Sequence, residues 1–153
     1  MRAVRRFEEF LAQGTVKRQS SNRSRAAFLL TESEKSYAHL LASVEKLGVD
    51  DDNANTYVKN SYDILMELIR ARMLLDGYNA SGQGGHEAEV AYLRVLDFPE
   101  KDVQFADQLR YFRNGMLYYG TILDAEYAEK VIAYAKRMSA KLREKAVARE
   151  RRQ

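Results

Sequence analysis

The chain has 153 residues, 25 basic and 22 acidic side chains and no cysteine, which excludes disulfide frameworks, thiolate metal sites and cysteine nucleophiles. It has two histidines and one proline, so an imidazole-rich metal centre and a proline-punctuated β-fold are both disfavoured. No apolar run is long enough for a membrane span or a signal peptide, and we expect a cytoplasmic protein that needs no metal or other cofactor.

The charge is distributed unevenly along the chain. Residues 1–25 carry seven basic and two acidic side chains, and residues 136–153 carry eight basic and two acidic ones. The middle of the chain is therefore acidic, although the whole chain has a net charge of +3. Basic ends of this kind contact nucleic-acid phosphates in some proteins and form solvated helix faces in others. No aromatic residue is interleaved in the C-terminal run, which favours the solvated face.

Apolar residues recur at helical spacing along almost the whole chain, beginning at the N-terminus. A short first helix over about 1–14 ends near Gly14. A second helix is capped at its start by Ser21 or Asn22 and ends at Gly48.

Three aspartates at 50–52 favour the start of a third helix, because carboxylates stabilise a helix N-terminus. This helix ends at Gly77, and a flexible glycine-rich loop follows over 79–85. A short fourth helix comes next, with apolar residues at Val90, Tyr92, Leu93 and Leu96.

The fifth helix opens at Pro99, a residue suited to the first turn, and runs to Gly120. Asp124 is a suitable N-cap for the last helix. Large apolar residues nearly stop after Leu142, so we expect a basic, frayed tail over about 143–153.

The pattern contains no internal repeat and no strand-like alternation. It predicts an all-α protein, an antiparallel up-and-down bundle of five to six helices with no sheet. We expect 1–153 to form one domain, with helix breaks near residues 14, 48, 77–85, 98 and 120.

The segment 109–120, LRYFRNGMLYYG, has a composition unusual for a core helix. Arg113 and Asn114 lie in its middle among apolar residues, and Gly115 costs about 1 kcal/mol of helix propensity relative to Ala. Two tyrosines close the segment before Gly120. Arg113 either extends to water from a purely structural helix or belongs to a binding site.

The same segment resembles the motif of the HEPN superfamily, whose small bacterial and archaeal members are helical bundles. That motif has an Arg, a polar residue that is often Asn, and then a His; the Arg–Asn pair matches at 113–114 and a Tyr–Gly ending at 119–120. The stretch 62–93 is similar to the family's long central helix, glycine-rich loop and His–Glu–Ala helix start. The resemblance covers about residues 26–142.

The resemblance implies that Arg113, Asn114 and Tyr118 form the catalytic set. In the family, the Arg and His of two subunits converge at a dimer interface and cleave RNA without metal. An Arg neutralises the scissile phosphate, and a His moves the proton of the ribose 2′-OH. Here Tyr118 occupies the His position, and a tyrosine with a pKa of about 10 is a poor base at neutral pH. Arg113 and Tyr118 are also about 140° apart on a helix, so we expect them to share a site only if the helix unwinds near Gly115 or Gly120.

Three further residues are candidates for ligand binding: Tyr119, His86 and Arg110. His86 follows the sequence SGQGG at a predicted helix start, where it either serves as a substitute base or ligand contact or simply caps and packs. The loop NASGQGG lacks the residue order of a phosphate-binding P-loop, and no strand pattern precedes it.

Three functions follow from these observations. The first is a HEPN-type RNA- or nucleotide-binding protein with a degenerate motif. The second is an active, metal-independent endoribonuclease toxin, paired in the family with a minimal nucleotidyltransferase that modifies a tyrosine near the motif. That tyrosine is expected two residues beyond the motif His, where this chain has Gly120 with Tyr119 beside it. The third is a structural helical dimer or adaptor without a nucleic-acid ligand.

We expect a homodimer and no association with a membrane.

Overall fold

The computed structural model describes residues 2–152 and has six helices and two short strands within them. In chain order these elements are α1 Phe7–Gln13, β1 Val16–Arg18, α2 Arg23–Leu47, α3 Ala54–Asp76, β2 Tyr78–Ala80, α4 Gly85–Val95, α5 Glu100–Tyr119 and α6 Ala125–Arg151. The predicted all-α helical bundle is confirmed.

Helix α3 is the centre of the bundle. It packs against α2 and α6 and also contacts α4 and α5. Its apolar residues are buried around most of its circumference, as expected of a helix enclosed by neighbours. The start of α2 packs on the end of α3, through Ala26 and Leu29 against Leu74, so these two helices are antiparallel.

Helix α4 breaks the up-and-down alternation of helix directions that the sequence predicts. Its early residue Glu89 bonds Arg70, and its later residue Tyr92 bonds Asp76, so α4 runs in the same direction as the second half of α3. Helix α5 then returns, and α6 packs antiparallel to it, with Arg137 bonded to Asp102 near the start of α5.

The expectation of no sheet is wrong. Strands β1 and β2 pair antiparallel, with Val16 opposite Ala80 and Arg18 opposite Tyr78. Three-residue strands are too short to show alternation in a sequence, and β2 includes the first residues of the predicted loop. The close approach next to this pair requires glycine at position 77, because φ there is +88° and a Cβ would lie only 2.6 Å from the carbonyl oxygen of Gln19.

The C-terminus also differs from the expected frayed tail, because α6 continues as a helix to Arg151. Ala146 is fully buried, and Arg149 Nε donates to Asp76 Oδ1 at 2.7 Å. Small and charged residues therefore anchor these turns, which an apolar pattern built on large side chains does not detect.

Candidate functional site

The segment that resembles the HEPN motif lies in the last turns of α5. This helix stays regular up to Tyr119 and ends at Gly120, which has a φ of +67°. The chain then folds back, and Thr121 N donates to the Gly115 carbonyl at 3.2 Å. A Cβ on Gly115 would lie 2.5 Å from Thr121 Oγ1, so the close approach of this turn explains the glycine in mid-helix.

The turn after α5 is fixed to the start of α3. Asn55 Nδ2 donates to the Thr121 carbonyl, and Leu123 N donates to Asn55 Oδ1, both at 2.8 Å. Asp51 Oδ1 accepts from Ala125 N at 2.9 Å. The end of α5 is therefore held in a defined position against α3.

A cleft of about 380 Å³ lies between α3, the start of α4 and the end of α5. Four of the six predicted site residues line it: Arg113, Asn114, Tyr118 and His86. The cleft also includes residues that sequence reasoning did not single out for the site: Tyr62, Asp63, Met66, Glu67, Arg70 and Leu117.

Arg113 and Tyr118 share the cleft although α5 remains helical between them. The expected unwinding near Gly115 or Gly120 is therefore not required. The cleft lies along the side of the helix, where an arc of about 140° is wide enough to include both side chains.

Arg113 differs in its pairing from most of the other arginines of the described residues that lie against the fold. Its side chain is 30% exposed, and its nearest carboxylate oxygen is Asp63 Oδ1, 3.8 Å from Nε. Seven other arginines each hold a carboxylate oxygen at 3.1 Å or closer: Arg5, Arg70, Arg72, Arg94, Arg110, Arg137 and Arg149. Arg113 Nε is buried and has no hydrogen-bond partner among the described residues.

Tyr62, which also lines the cleft, has a second buried polar atom without a partner among the described residues. Its side chain is buried, and its hydroxyl has no partner in the described part of the chain. Burial raises the pKa of this hydroxyl, so it stays protonated and is able to donate. Buried polar atoms without partners are rare in native proteins, and two of the four such atoms in the described residues belong to side chains that line this cleft.

His86 is oriented by a buried ion pair at the other side of the cleft. Glu89 is 4% exposed in its side chain and accepts two hydrogen bonds from Arg70, at 2.6 and 3.1 Å. His86 Nδ1 lies 3.0 Å from Glu89 Oε1. Burial acts to raise the pKa of Glu89, but the hydrogen bonds from His86 and Arg70 outweigh it and hold that pKa below its usual value. Because the ionised Glu89 only accepts, His86 Nδ1 donates to it, and Nε2 is the ring nitrogen left for another partner.

Two carboxylates on α3 complete the wall of the cleft. Burial raises the pKa of Asp63, although Arg113 and His86 act in the opposite direction. Burial and the charge of Asp63 together raise the pKa of Glu67. Ionised carboxylates accept hydrogen bonds from hydroxyl and amino groups, so the cleft offers both donors and acceptors.

Two of the predicted site residues lie outside the cleft lining. Arg110 Nε donates to Asp107 Oδ1 at 2.7 Å, which is a pair within one helix, three residues apart. Tyr119 is 85% exposed at the end of α5.

The cleft shares lining residues with two neighbouring cavities. A cavity of about 580 Å³ between α2 and α3 shares Asp63 and Glu67 with it. A cavity of about 300 Å³ beside the glycine-rich loop shares Arg70 and His86 with it. One stripe of α3, about 21 Å long, lines all three cavities; it consists of the polar residues Asn60, Asp63, Glu67 and Arg70 and ends at the apolar Leu74. The polar spacing of this stripe is visible in the sequence, but there it resembles any solvated helix face.

Within residues 2–152, no group of three or more histidine and carboxylate side chains has the arrangement of a metal site. None of the helices in this range is both long enough and apolar enough to cross a membrane. No protein-family model matches the chain, and no curated protein or solved structure does either.

Proposed function

We propose that the chain is a HEPN-type RNA- or nucleotide-binding protein whose ligand occupies the cleft around Arg113. The observation that carries this proposal is that Arg113 lines the cleft without a close carboxylate among residues 2–152, its nearest carboxylate oxygen being 3.8 Å from Nε. An arginine that lacks a close carboxylate retains its capacity to bind a phosphate, because its planar guanidinium donates two parallel hydrogen bonds to two of the phosphate oxygens.

The other cleft residues fit the remaining parts of a nucleotide. Tyr118 is exposed at the rim, where its ring is able to stack on a base. Asp63 and Glu67 are acceptors for ribose hydroxyls or base amino groups. The sharing of residues with cavities on both sides gives room for more than one nucleotide of a single strand.

The test of this proposal is RNA binding by the wild type and Arg113→Ala, measured by fluorescence polarisation with a short single-stranded oligonucleotide at several salt concentrations. We expect Arg113→Ala to weaken binding at least tenfold, about 1.4 kcal/mol, while the thermal melting curve is unchanged. Lys130→Ala removes the same charge from an exposed position on α6 and should keep wild-type affinity.

Unchanged RNA affinity in Arg113→Ala, together with lost stability, would identify Arg113 as a structural residue and overturn the proposal. Absence of salt-dependent RNA binding by the wild type would instead favour the structural dimer or adaptor.

The second candidate function is an active endoribonuclease, and the orientation of His86 by Glu89 favours it. Tyr118 replaces the motif histidine, but His86 lines the same cleft with Nε2 available as a proton acceptor. In this function, Nε2 takes the proton of a ribose 2′-OH while Arg113 neutralises the phosphate. RNA cleavage in the presence of a chelator that is lost in both His86→Gln and Arg113→Ala would establish it. RNA binding without cleavage in the wild type would exclude it.

We also propose a homodimer and, for the toxin function, a minimal nucleotidyltransferase as partner. The end of α5 and the following turn support an interface, because they expose a group of large apolar side chains: Tyr111, Leu117, Tyr118, Tyr119 and Ile122. In the single chain Tyr119 is exposed, as the target of such a partner must be.

A further inference from the structure

The last turns of α6 build a second polar cavity, separate from the cleft. It has a volume of about 240 Å³ and lies between α6, the last turns of α3 and the end of α4. Arg72 of α3 lines it, whereas Arg70 lines the cleft. Side chains two positions apart on a helix point in directions that differ by about 200°, so the two sites lie on different faces of α3.

The cavity is strongly basic. Four cationic side chains line it, and Asp97 is the carboxylate among its lining residues: the cations are Arg72, Lys145, Arg149 and Arg152. The nearby Asp76 compensates one further positive charge, since it pairs with both Arg72 and Arg149. A positive excess therefore remains around a space smaller than the usual pocket of about 300–1,000 Å³ for a drug-sized ligand.

Two of these cations are fixed in position. Arg72 and Arg149 both bind Asp76 through Nε, at 2.9 and 2.7 Å, and not through a pair of terminal nitrogens. Asp76 itself accepts a short hydrogen bond from the buried Tyr92 hydroxyl. Within residues 2–152, the terminal nitrogens of Arg149 and one of Arg72 have no hydrogen-bond acceptor, while the second terminal nitrogen of Arg72 donates to the Lys145 carbonyl at 3.3 Å.

The end of α6 alone does not explain why these four cations lie together. The dipole of α6 stabilises cations in its last turn. Arg72, however, belongs to a different helix, and Lys145 precedes that turn with its ammonium 5.5 Å from the centre of the Phe98 ring. Cations from two helices therefore converge on one small space.

We propose that this cavity is a binding site for a phosphate group. A phosphate carries the charge and the several acceptor oxygens that two preoriented guanidinium groups and an ammonium group satisfy together. The source is either free phosphate or a phosphodiester of a nucleic acid, because both present the same oxygens. Phosphate binding here would give a role to the basic C-terminal run, whose residues do not line the cleft. This proposal does not depend on the proposed function of Arg113.

The test is a titration of the full, isotope-labelled chain with inorganic phosphate, followed by the NMR shifts of the backbone amides of residues 95–97 and 145–152. We expect saturable shifts in the wild type up to about 10 mM phosphate and at least a tenfold loss of affinity in Lys145→Glu/Arg152→Glu. Lys136→Glu/Lys141→Glu is the matched control, since it makes the same charge change at exposed positions on the same helix. Arg72 and Arg149 are kept because they hold Asp76.

Equal affinities in the site variant and the control, or no saturable shift in these segments of the wild type, would overturn the proposal. If the double glutamate variant does not give the wild-type circular dichroism spectrum, Lys145→Gln/Arg152→Gln replaces it, and the same tenfold loss is expected. Arg113→Ala should bind phosphate in these segments as the wild type does, which separates this site from the cleft. A single-stranded RNA arm distinguishes the sources, because weakened RNA binding in the site variant indicates a phosphodiester and unchanged RNA binding indicates free phosphate.

Discussion

Arg113 and Arg70 line the same cleft but leave different groups behind when they are removed. Asp63, the carboxylate closest to Arg113, is 54% exposed and stays solvated without its partner. Glu89, the partner of Arg70, is buried and becomes an uncompensated charge. We expect Arg113→Ala to lower the free energy of unfolding by less than about 1 kcal/mol, and Arg70→Ala by about 3–5 kcal/mol. Urea unfolding of the two variants checks this, and equal losses would contradict the contrast.

Glu89 should contribute to stability in a pH-dependent way. Its folded-state pKa lies below the ordinary value of 4.5, so the unfolded chain binds more protons in the interval between the two values. Stability from this residue is therefore complete above pH 4.5 and is lost as the pH falls through the folded-state value. We expect Glu89→Gln to cost about 2 kcal/mol at neutral pH, because it removes a charged acceptor from Arg70 and His86.

Urea unfolding of the wild type and Glu89→Gln over a series of pH values measures this effect. The difference in stability between them should narrow as the pH is lowered. A difference that is constant from pH 7 to pH 3, about the range in which a carboxyl titrates, would rule out the linkage.

At the scale of elements, the end of α5 depends on the absence of a side chain at Gly115. Alanine in place of a mid-helix glycine ordinarily gains about 1 kcal/mol. Here a Cβ would lie 2.5 Å from Thr121 Oγ1 and 3.3 Å from Thr121 Cβ, so rotation of the hydroxyl alone does not make room. We expect Gly115→Ala to destabilise the protein by about 1–2 kcal/mol, as overpacking does.

Thermal unfolding and amide hydrogen exchange in residues 120–124 check this prediction. Because Asn55 holds the same turn, faster exchange should be concentrated there and not along α5. Gly115→Ala/Thr121→Ala removes the hydroxyl contact and should recover part of the loss. A Gly115→Ala variant that is more stable than the wild type would contradict the prediction, because it would show that the turn makes room for the Cβ at little cost.

The helices and the strands also differ in how well the sequence predicts them. Helix ends at Gly14, Gly48, Gly77 and Gly120 were predictable, because a glycine that ends an apolar repeat leaves few alternatives. The strands at 16–18 and 78–80 were not, since three residues carry no usable period and the pair forms between segments 60 residues apart.

At the scale of the whole molecule, the proposed homodimer rests on the apolar side chains around the end of α5. Ile122 is 81% exposed there and lies outside the cleft lining. We expect a wild-type dimer in sedimentation velocity at micromolar concentration and a shift towards monomer in Ile122→Lys, because a charge in an apolar contact is desolvated without a partner.

Phe28→Lys is the control for this prediction. Phe28 is also an exposed large apolar residue, but it lies near the start of α2, which packs on the end of α3 away from Asn55 and the turn. The control should sediment as the wild type does. A monomeric wild type at high micromolar concentration would contradict the homodimer.

The sequence by itself determined the helical class, the main helix ends and the residues Arg113, Asn114, Tyr118 and His86 as candidates, because each of these is written in local spacing or in a short motif. Only the tertiary structure decided that these four side chains meet in one cleft, since that depends on packing α3, α4 and α5 together. The same holds for the pairing of arginines between helices: Arg70 finds Glu89 of α4 at 2.6 Å, whereas Arg113 has no carboxylate oxygen closer than 3.8 Å among the described residues. Pairing and burial are properties of neighbours brought together by the fold, and for this reason they separate a structural arginine from one that is free to bind a ligand.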